Sequence, residues 1–143
     1  MLVEQISVFI ENEQGRLYAI SETLAKNNVD ISALSLAENE EYGVIRMIVS
    51  EPHKAKEVLS DSGVVCKVSK VLAVAIDDTP GGFSKAIKIL NDENIEINYM
   101  YACVSHEKGK AIMIFSTNDN EKADQIFSKE GEQLIKPSSI YRI

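Results

Sequence analysis

A chain of 143 residues, 45% hydrophobic and 26% charged, has the composition of an ordinary globular protein. One compact unit of that length buries about 70% of its extended surface and a half-length unit closer to about 60%, so two small domains would need each other. Asp and Glu number 22 against 15 Lys and Arg, and a formal charge of -7 without a basic cluster excludes nucleic acid and an anionic membrane surface as partners.

The chain opens Met1-Leu2-Val3-Glu4-Gln5, with an acid where a secretory leader carries basic residues, so a cytoplasmic location is expected. Ile6, Val8 and Ile10 then alternate with Gln5, Ser7 and Glu11, the period of a strand with one buried face. From Gly15 the period turns helical through Leu17, Ile20 and Leu24. That helix is predicted to end in Lys26-Asn27-Asn28, where Asn can take the left-handed conformation. Val29 to Ala37 reads as extended, Glu38 to Gly43 as a polar turn and Val44 to Ser50 as the partner strand of a hairpin. A helix over Pro52 to Asp61, with Pro52 at a tolerated first-turn position, and a strand from Val64 complete the set.

The rest of the chain repeats it. A shift of 66 positions lays Gly15 on Gly81, Leu24 on Leu90, Asn28 on Asn94, Ile31 on Ile97, Gly43 on Gly109 and Met47 on Met113. Two extra residues near Asn118 raise the shift to 68, after which Ala55 meets Ala123 and Gly63 meets Gly131. The second copy accordingly predicts a strand through Leu72, Val74 and Ile76, a helix through Phe83, Ala86 or Ile87 and Leu90, and an extended segment from Ile95 to Ser105. A turn over His106 to Gly109, a strand from Lys110 to Ser116, a helix over Glu121 to Lys129 and a strand from Gln133 follow. The order is βαββαβ twice. The predicted fold class is therefore α+β, a tandem of ferredoxin-like repeats at 1–68 and 69–143 without a linker, each an antiparallel sheet with helices on one face.

Met47, Val49, Met113 and Phe115 alternate with Ile48, Ile112 and Ile114, so both faces of these strands ask for cover. Helices cover one; the other predicts a second sheet, from the sister copy or another chain, and hence a homodimer. Arg46 on that face argues that its cover is incomplete.

Catalytic constellations are missing. His53 follows Pro52 at a helix start and His106 sits in a turn, both in polar surroundings that suit surface residues. Pro80-Gly81-Gly82-Phe83-Ser84-Lys85 lacks the first glycine of a phosphate-binding loop, and the adjacent Asp77 and Asp78 lack the oxygen ladder of a calcium loop. Cys66 and Cys103, far apart and without a ligand pattern, read as small hydrophobes of a reducing compartment. No catalytic residue, metal or cofactor is expected.

The turns before the first helix of each copy carry the most information: Glu11-Asn12-Glu13-Gln14-Gly15-Arg16-Leu17 and Asp77-Asp78-Thr79-Pro80-Gly81-Gly82-Phe83. Glycine lets a backbone turn sharply and lets a ligand approach, and the helix start offers N–H groups suited to a small carboxylate. Helix capping by Asn12 or Thr79 would account for the same residues without a ligand. Asn28-Val29-Asp30-Ile31 and Asn94-Ile95-Glu96-Ile97 put an acid at the next strand, an acceptor for an ammonium group or simply an outward polar residue.

Together, Asn12-Glu13-Gln14-Gly15-Arg16-Leu17, Ala25 through Ile31 and their fuller counterparts Asp78 through Phe83 and Asn94 through Ile97 resemble the ACT domain. Over the whole chain the similarity is to stand-alone bacterial tandem ACT proteins. The resemblance implies a small-molecule sensor, typically for a free L-amino acid, with ligand between the glycine turn of one domain and the second strand of its neighbour. It places contacts at Asn12, Gln14, Gly15, Arg16 and Leu17, and at Asp78, Pro80, Gly81, Gly82 and Phe83, with Asp30, Ile31, Glu96 and Ile97 at the second strand. Gln14 stands where the family has proline, and Asp78 puts negative charge near a ligand carboxylate; Pro80-Gly81-Gly82 keeps the fuller turn and favours Gly81 as the carboxylate site. A non-catalytic regulatory sensor is expected, whose sequence names no target of its own. The alternative is an interaction or assembly module that has lost its ligand and regulates a separate metabolic enzyme, and a small ferredoxin-like enzyme stands behind both.

Overall fold

The computed structural model describes residues 2–103 and 108–141; His106 and the end of the second extended segment lie outside them. Its elements are β1 (Val3–Glu11), α1 (Arg16–Lys26), β2 (Ile31–Glu38), β3 (Tyr42–Val49), α2 (Pro52–Asp61), β4 (Val65–Asp77), α3 (Gly82–Asp92), β5 (Ile97–Cys103), β6 (Lys110–Thr117), α4 (Asn120–Lys129), β7 (Gln133–Leu134) and α5 (Pro137–Ile140). Contacts divide them into two compact units, one formed by Glu4–Ser69 with Ile140 and Tyr141, the other by Lys70–Ser139 with Leu2 and Val3. The division falls within β4, a strand that runs through without a linker.

In the first unit β3 is central. β1 pairs with it antiparallel, Ile6 opposite Met47 and Val8 opposite Ile45, and β2 pairs antiparallel on the other side, Leu36 opposite Ile45. The alternation read from the sequence therefore places Ile6, Val8, Ile10, Ile45, Met47 and Val49 on one face. There they bury themselves against Ile20 and Leu24 of α1 and Ala55 and Leu59 of α2. Each large side chain so buried contributes about 1.5–3 kcal/mol. After α1, Asn28 takes φ 57° and Val29 turns back to donate its N–H to the Leu24 carbonyl at 2.9 Å, which launches the chain into β2.

The second unit repeats these contacts. β6 lies between β4 and β5, with Leu72 opposite Phe115 and Val74 opposite Met113. Leu72, Val74, Ile76 and Phe115 pack on Ala86 and Leu90 of α3 and on Ala123 and Phe127 of α4, where the Phe115 and Phe127 rings sit 6.2 Å apart. Asn94, at φ 56°, repeats the exit of Asn28. The end differs from expectation: the strand from Gln133 lasts two residues, pairing with Val74 and Ala75, and the unforeseen helix α5 begins at Pro137.

The isoleucines of the second sheet face asked for cover from the sister copy or another chain. Ile48 and Ile114 are fully buried within the single chain, and Ile112 and Arg46 are half-buried. Exposed apolar surface lies elsewhere, on Leu17, Tyr18, Leu34 and Leu36 along α1 and β2, and on Phe9, Tyr42 and Val65.

Candidate functional site

Gly15 holds φ 87° and ends the first turn as the residue before α1, with open space where a Cβ would stand. No side chain caps the helix. Asn12, the expected cap, instead donates its Nδ2 hydrogen to the Asn39 carbonyl, and its backbone N–H reaches the Glu41 carbonyl at 3.4 Å, so the turn is tied to the β2–β3 hairpin. The Arg16 N–H goes to the Glu13 carbonyl at 3.3 Å and that of Ala19 to Gly15 at 3.0 Å. The intervening N–H groups, of Leu17 and Tyr18, belong to the first helical turn, where no intrahelical acceptor exists.

Beside this helix start lies a concavity of ≈ 400 Å³ lined by Asn12, Gln14, Gly15 and Leu17 of the predicted residues, joined by Glu11, Glu13 and Tyr18 and by Leu36 and Glu38 of β2. Arg16 lines a different hollow on the other side of the turn. Asp30 is not gathered in: it is exposed, donates its N–H to Ser50 Oγ at 3.0 Å and accepts the Ser50 N–H at 2.9 Å. The 11 residues of α1, a length of about 16 Å, separate it from Gly15. Ile31 beside it is half-buried against the core. Leu36 and Glu38 escaped the sequence reading, although a signal for them exists. Because α1 crosses the sheet, β2 runs in the direction of β1, and it is the carboxyl end of β2, not its start, that lies by the turn; ligands of α/β crossovers favour that end.

At the second turn Gly81 repeats the geometry, φ 89° with open space at its Cβ and no side-chain cap from Thr79. Gly82 differs. A Cβ there would lie 2.0 Å from the Asp77 carbonyl oxygen, so this glycine serves the close approach of the protein's own backbone. Asp78 and Pro80 are exposed, and Phe83 faces a shallow hollow with Ser84 and Ile87. Nearby, a polar hollow of ≈ 230 Å³ holds two ion pairs, Lys110 to Asp77 at 2.6 Å and Lys85 to Glu132 at 3.1 Å. The hydrogen bond and charge of Lys110 hold the Asp77 carboxyl below the usual carboxylate range. Glu96 repeats the placement of Asp30, its N–H on Asn118 Oδ1 at 3.2 Å, and Ile97 packs at the core edge.

The remaining polar groups lie outside these turns. His53 pairs with Glu4 at 2.7 Å on the surface. Burial raises the Cys66 thiol and Cys103 is buried. Among the described residues no three His, Cys, Asp or Glu side chains gather as they would around a metal ion, and no helix is long and apolar enough to cross a membrane. What the first turn can do chemically is hold a small molecule, with N–H donors for an anionic end and carboxylates for a cationic one.

The model of the ACT domain pair family matches residues 1–142. Protein BT0572 from Bacteroides thetaiotaomicron has a crystal structure that superposes with a TM-score of 0.93 at 31% identity, over 100% of this chain and 98% of that one. The ligand-free regulatory subunit of aspartate kinase from Thermus thermophilus shares the fold at a TM-score of 0.63 and 14% identity, over 90% and 93% of the two chains. Its counterpart from Thermus flavus gives 0.62 at 14% identity, over 92% and 95%. No curated protein matches. With βαββαβ order in each unit and a glycine turn before the first helix of each, the chain belongs to the ACT family, as an ACT domain pair.

Proposed function

We propose that this protein is a non-catalytic sensor, with domains at 1–68 and 69–143, that binds a free L-amino acid or similar small zwitterion at its first βα turn and regulates a separate metabolic enzyme. The observation that carries the reading is the ≈ 400 Å³ concavity in which the uncapped start of α1, opened by Gly15, meets the carboxylates of Glu11, Glu13 and Glu38. The ligand carboxylate takes the N–H groups of Leu17 and Tyr18, and its ammonium takes one of the three acids. This geometry supports Gly15 over Gly81, because the second turn presses Gly82 on its own strand and has Asp77 and Asp78 beside it. The role matches what ACT domains do as regulatory modules, and the Thermus neighbours are named as regulatory subunits of an enzyme.

A homodimer belongs to the same reading. β2 pairs only with β3 among the described residues, leaving an edge beside the exposed Leu34 and Leu36. A second chain laid along that edge would cover these side chains and bring a further Asp30 toward the turn, which Asp30 cannot reach within its own unit.

The test is a thermal-shift screen of the full chain against the twenty amino acids, followed by calorimetry on wild type and Leu36→Glu. A ligand at about 100 times its Kd stabilises by about 2.7 kcal/mol, raising Tm by several degrees. At least one amino acid should do this and Leu36→Glu should abolish it. No response at millimolar concentration ends the sensor reading and leaves a ligand-free assembly module.

A further inference from the structure

Across the Glu11-to-Gly15 turn from that concavity lies the hollow of ≈ 320 Å³ that Arg16 faces, at the lower end of the range for small-molecule sites. One side of it is apolar, formed by Phe9, Tyr42, Val64 and Val65, of which Phe9, Tyr42 and Val65 leave 45%, 59% and 66% of their surface exposed; Glu11 and Glu13 line the rest beside Arg16. The Nε of Arg16 is shut off from solvent and has no hydrogen-bond partner among the described residues. A guanidinium N–H kept from water and unpaired is costly, and a carboxylate is the acceptor that fits its planar fork.

The repeat supplies the control. At the corresponding positions the second copy has Ala75 for Phe9, Lys108 for Tyr42, Glu132 and Gln133 for Val64 and Val65, and Gly82 for Arg16. It nevertheless starts α3 from the same left-handed glycine and turns after α4 at Gly131, φ 76°, as the first copy turns at Gly63, φ 82°. The fold therefore requires neither an apolar wall nor a cation at this place. In the second unit the equivalent hollow is filled by charges that pair with one another.

We propose that the Arg16 hollow is a second ligand site, adjoining the concavity at Gly15 and sharing Glu11 and Glu13 with it, for a small monocarboxylate bearing an aliphatic or aromatic tail. The carboxylate accepts from Arg16 and the tail covers Phe9, Tyr42 and Val65, removing their surface from water. Glu11 and Glu13 line the same hollow and repel a second negative charge, which selects against dicarboxylates and phosphates. An apolar amino acid and an organic acid without an amino group share this chemistry; Glu11 or Glu13 would take the ammonium of the former.

Calorimetric and NMR titration of the full chain with 3-phenylpropionate and with L-phenylalanine, in wild type, Arg16→Gln, Arg16→Lys, Val65→Glu and Leu36→Glu, tests the proposal. 3-Phenylpropionate should bind, at least tenfold more weakly in Arg16→Gln and in Val65→Glu, with succinate unable to compete. Arg16→Lys keeps the charge but not the fork and should be intermediate. The thermal midpoint of each variant shows that it is folded, and Val65→Glu decides the matter if Arg16→Gln is not. Binding of neither probe, or binding undiminished in the folded variants, overturns the site. If L-phenylalanine binds and only Leu36→Glu removes it, this site is overturned while the amino-acid reading at Gly15 stands. If 3-phenylpropionate binds through Arg16 and no amino acid shifts melting, the outcome is the reverse.

Discussion

Gly15 and Gly81 hold φ at 87° and 89°, each precedes its helix without a side-chain cap, and each has open space where a Cβ would stand. One residue on, the copies part. Arg16 carries a long cation to a hollow lined by Phe9, Tyr42, Val65 and two glutamates, whereas Gly82 lets the Asp77 carbonyl come so close that no side chain fits. The left-handed turn is a property of the repeated fold, and what faces it is a property of each copy. The second turn looks richer in glycine because Gly82 lets it pack against its own strand, whereas the first turn carries a side chain at that position.

The sharpest way to break this contrast is at that divergent position. Gly82→Ala drives a Cβ into backbone that cannot swing aside, and should cost about 3 kcal/mol or more, at the top of the range for overpacking. Arg16→Ala, at the equivalent place, should cost less than about 1 kcal/mol. Urea unfolding of both full-length variants measures the two, and similar losses would mean that the turns do not differ as described.

The residue before gives the matching control. Gly15→Ala and Gly81→Ala both place a Cβ in open space but at a φ that L-residues resist, so each should cost about 1–2 kcal/mol. The two losses should agree closely, because the backbone is shared. A gap of more than about 1 kcal/mol between them would show that the turns are supported unequally by their surroundings.

The sequence made the regular elements readable because their causes are local. Alternation at Ile6, Val8 and Ile10 and helical spacing at Ile20 and Leu24 are imposed by the faces those residues bury, and Asn28 and Asn94 mark helix exits because Asn tolerates positive φ. Other features depend on residues distant in sequence. Nothing near Gly82 signals that Asp77 closes over it, and nothing near Asp30 signals that α1 carries it to the far end of the sheet from Gly15. Alternation showed that Ile48 and Ile114 need cover but not whether the sister copy or another chain supplies it, and both are buried in the single chain. The family resemblance groups Arg16 with Gly15, although successive residues at a helix start point in different directions, and the two line different hollows.

A smaller asymmetry concerns the chain end. Tyr141, late in the second copy, belongs to the first unit, where its hydroxyl accepts the Glu4 N–H at 2.5 Å. Burial raises its phenol above the ordinary value. The neutral form is thus favoured on folding, so its contribution is complete below the unfolded value of about 10 and is lost as pH rises through the higher folded value. Tyr141→Phe should cost about 1 kcal/mol at neutral pH and flatten the alkaline limb of a stability profile. An unchanged limb would mean that the tyrosine does not titrate with unfolding.

The weakest contrast lies between Asp77 and Glu11, which occupy the same position in the two copies. Asp77 stands opposite Lys110 in the β4–β6 ladder, and the pair draws its carboxyl down; the residue at the place of Lys110 in the first copy is Val44, so Glu11 cannot form the same pair. A depressed carboxyl stabilises the fold at pH values above the ordinary carboxylate range of about 4 and loses that contribution as pH falls through the lower folded value. Asp77 is exposed, solvent screens the pair, and the gain in stability is correspondingly slight. Its signature is sharper in titration than in unfolding. NMR of the Asp77 carboxyl should show a midpoint below that of an ordinary aspartate, returning toward it in Lys110→Met and in high salt. Because the hollow beside it is held by this pair and by Lys85 with Glu132, the same substitution should leave binding at Gly15 unchanged. A loss of that binding would mean that the second copy's charges bear on the first copy's turn, and the division of labour drawn between the two would have to be abandoned.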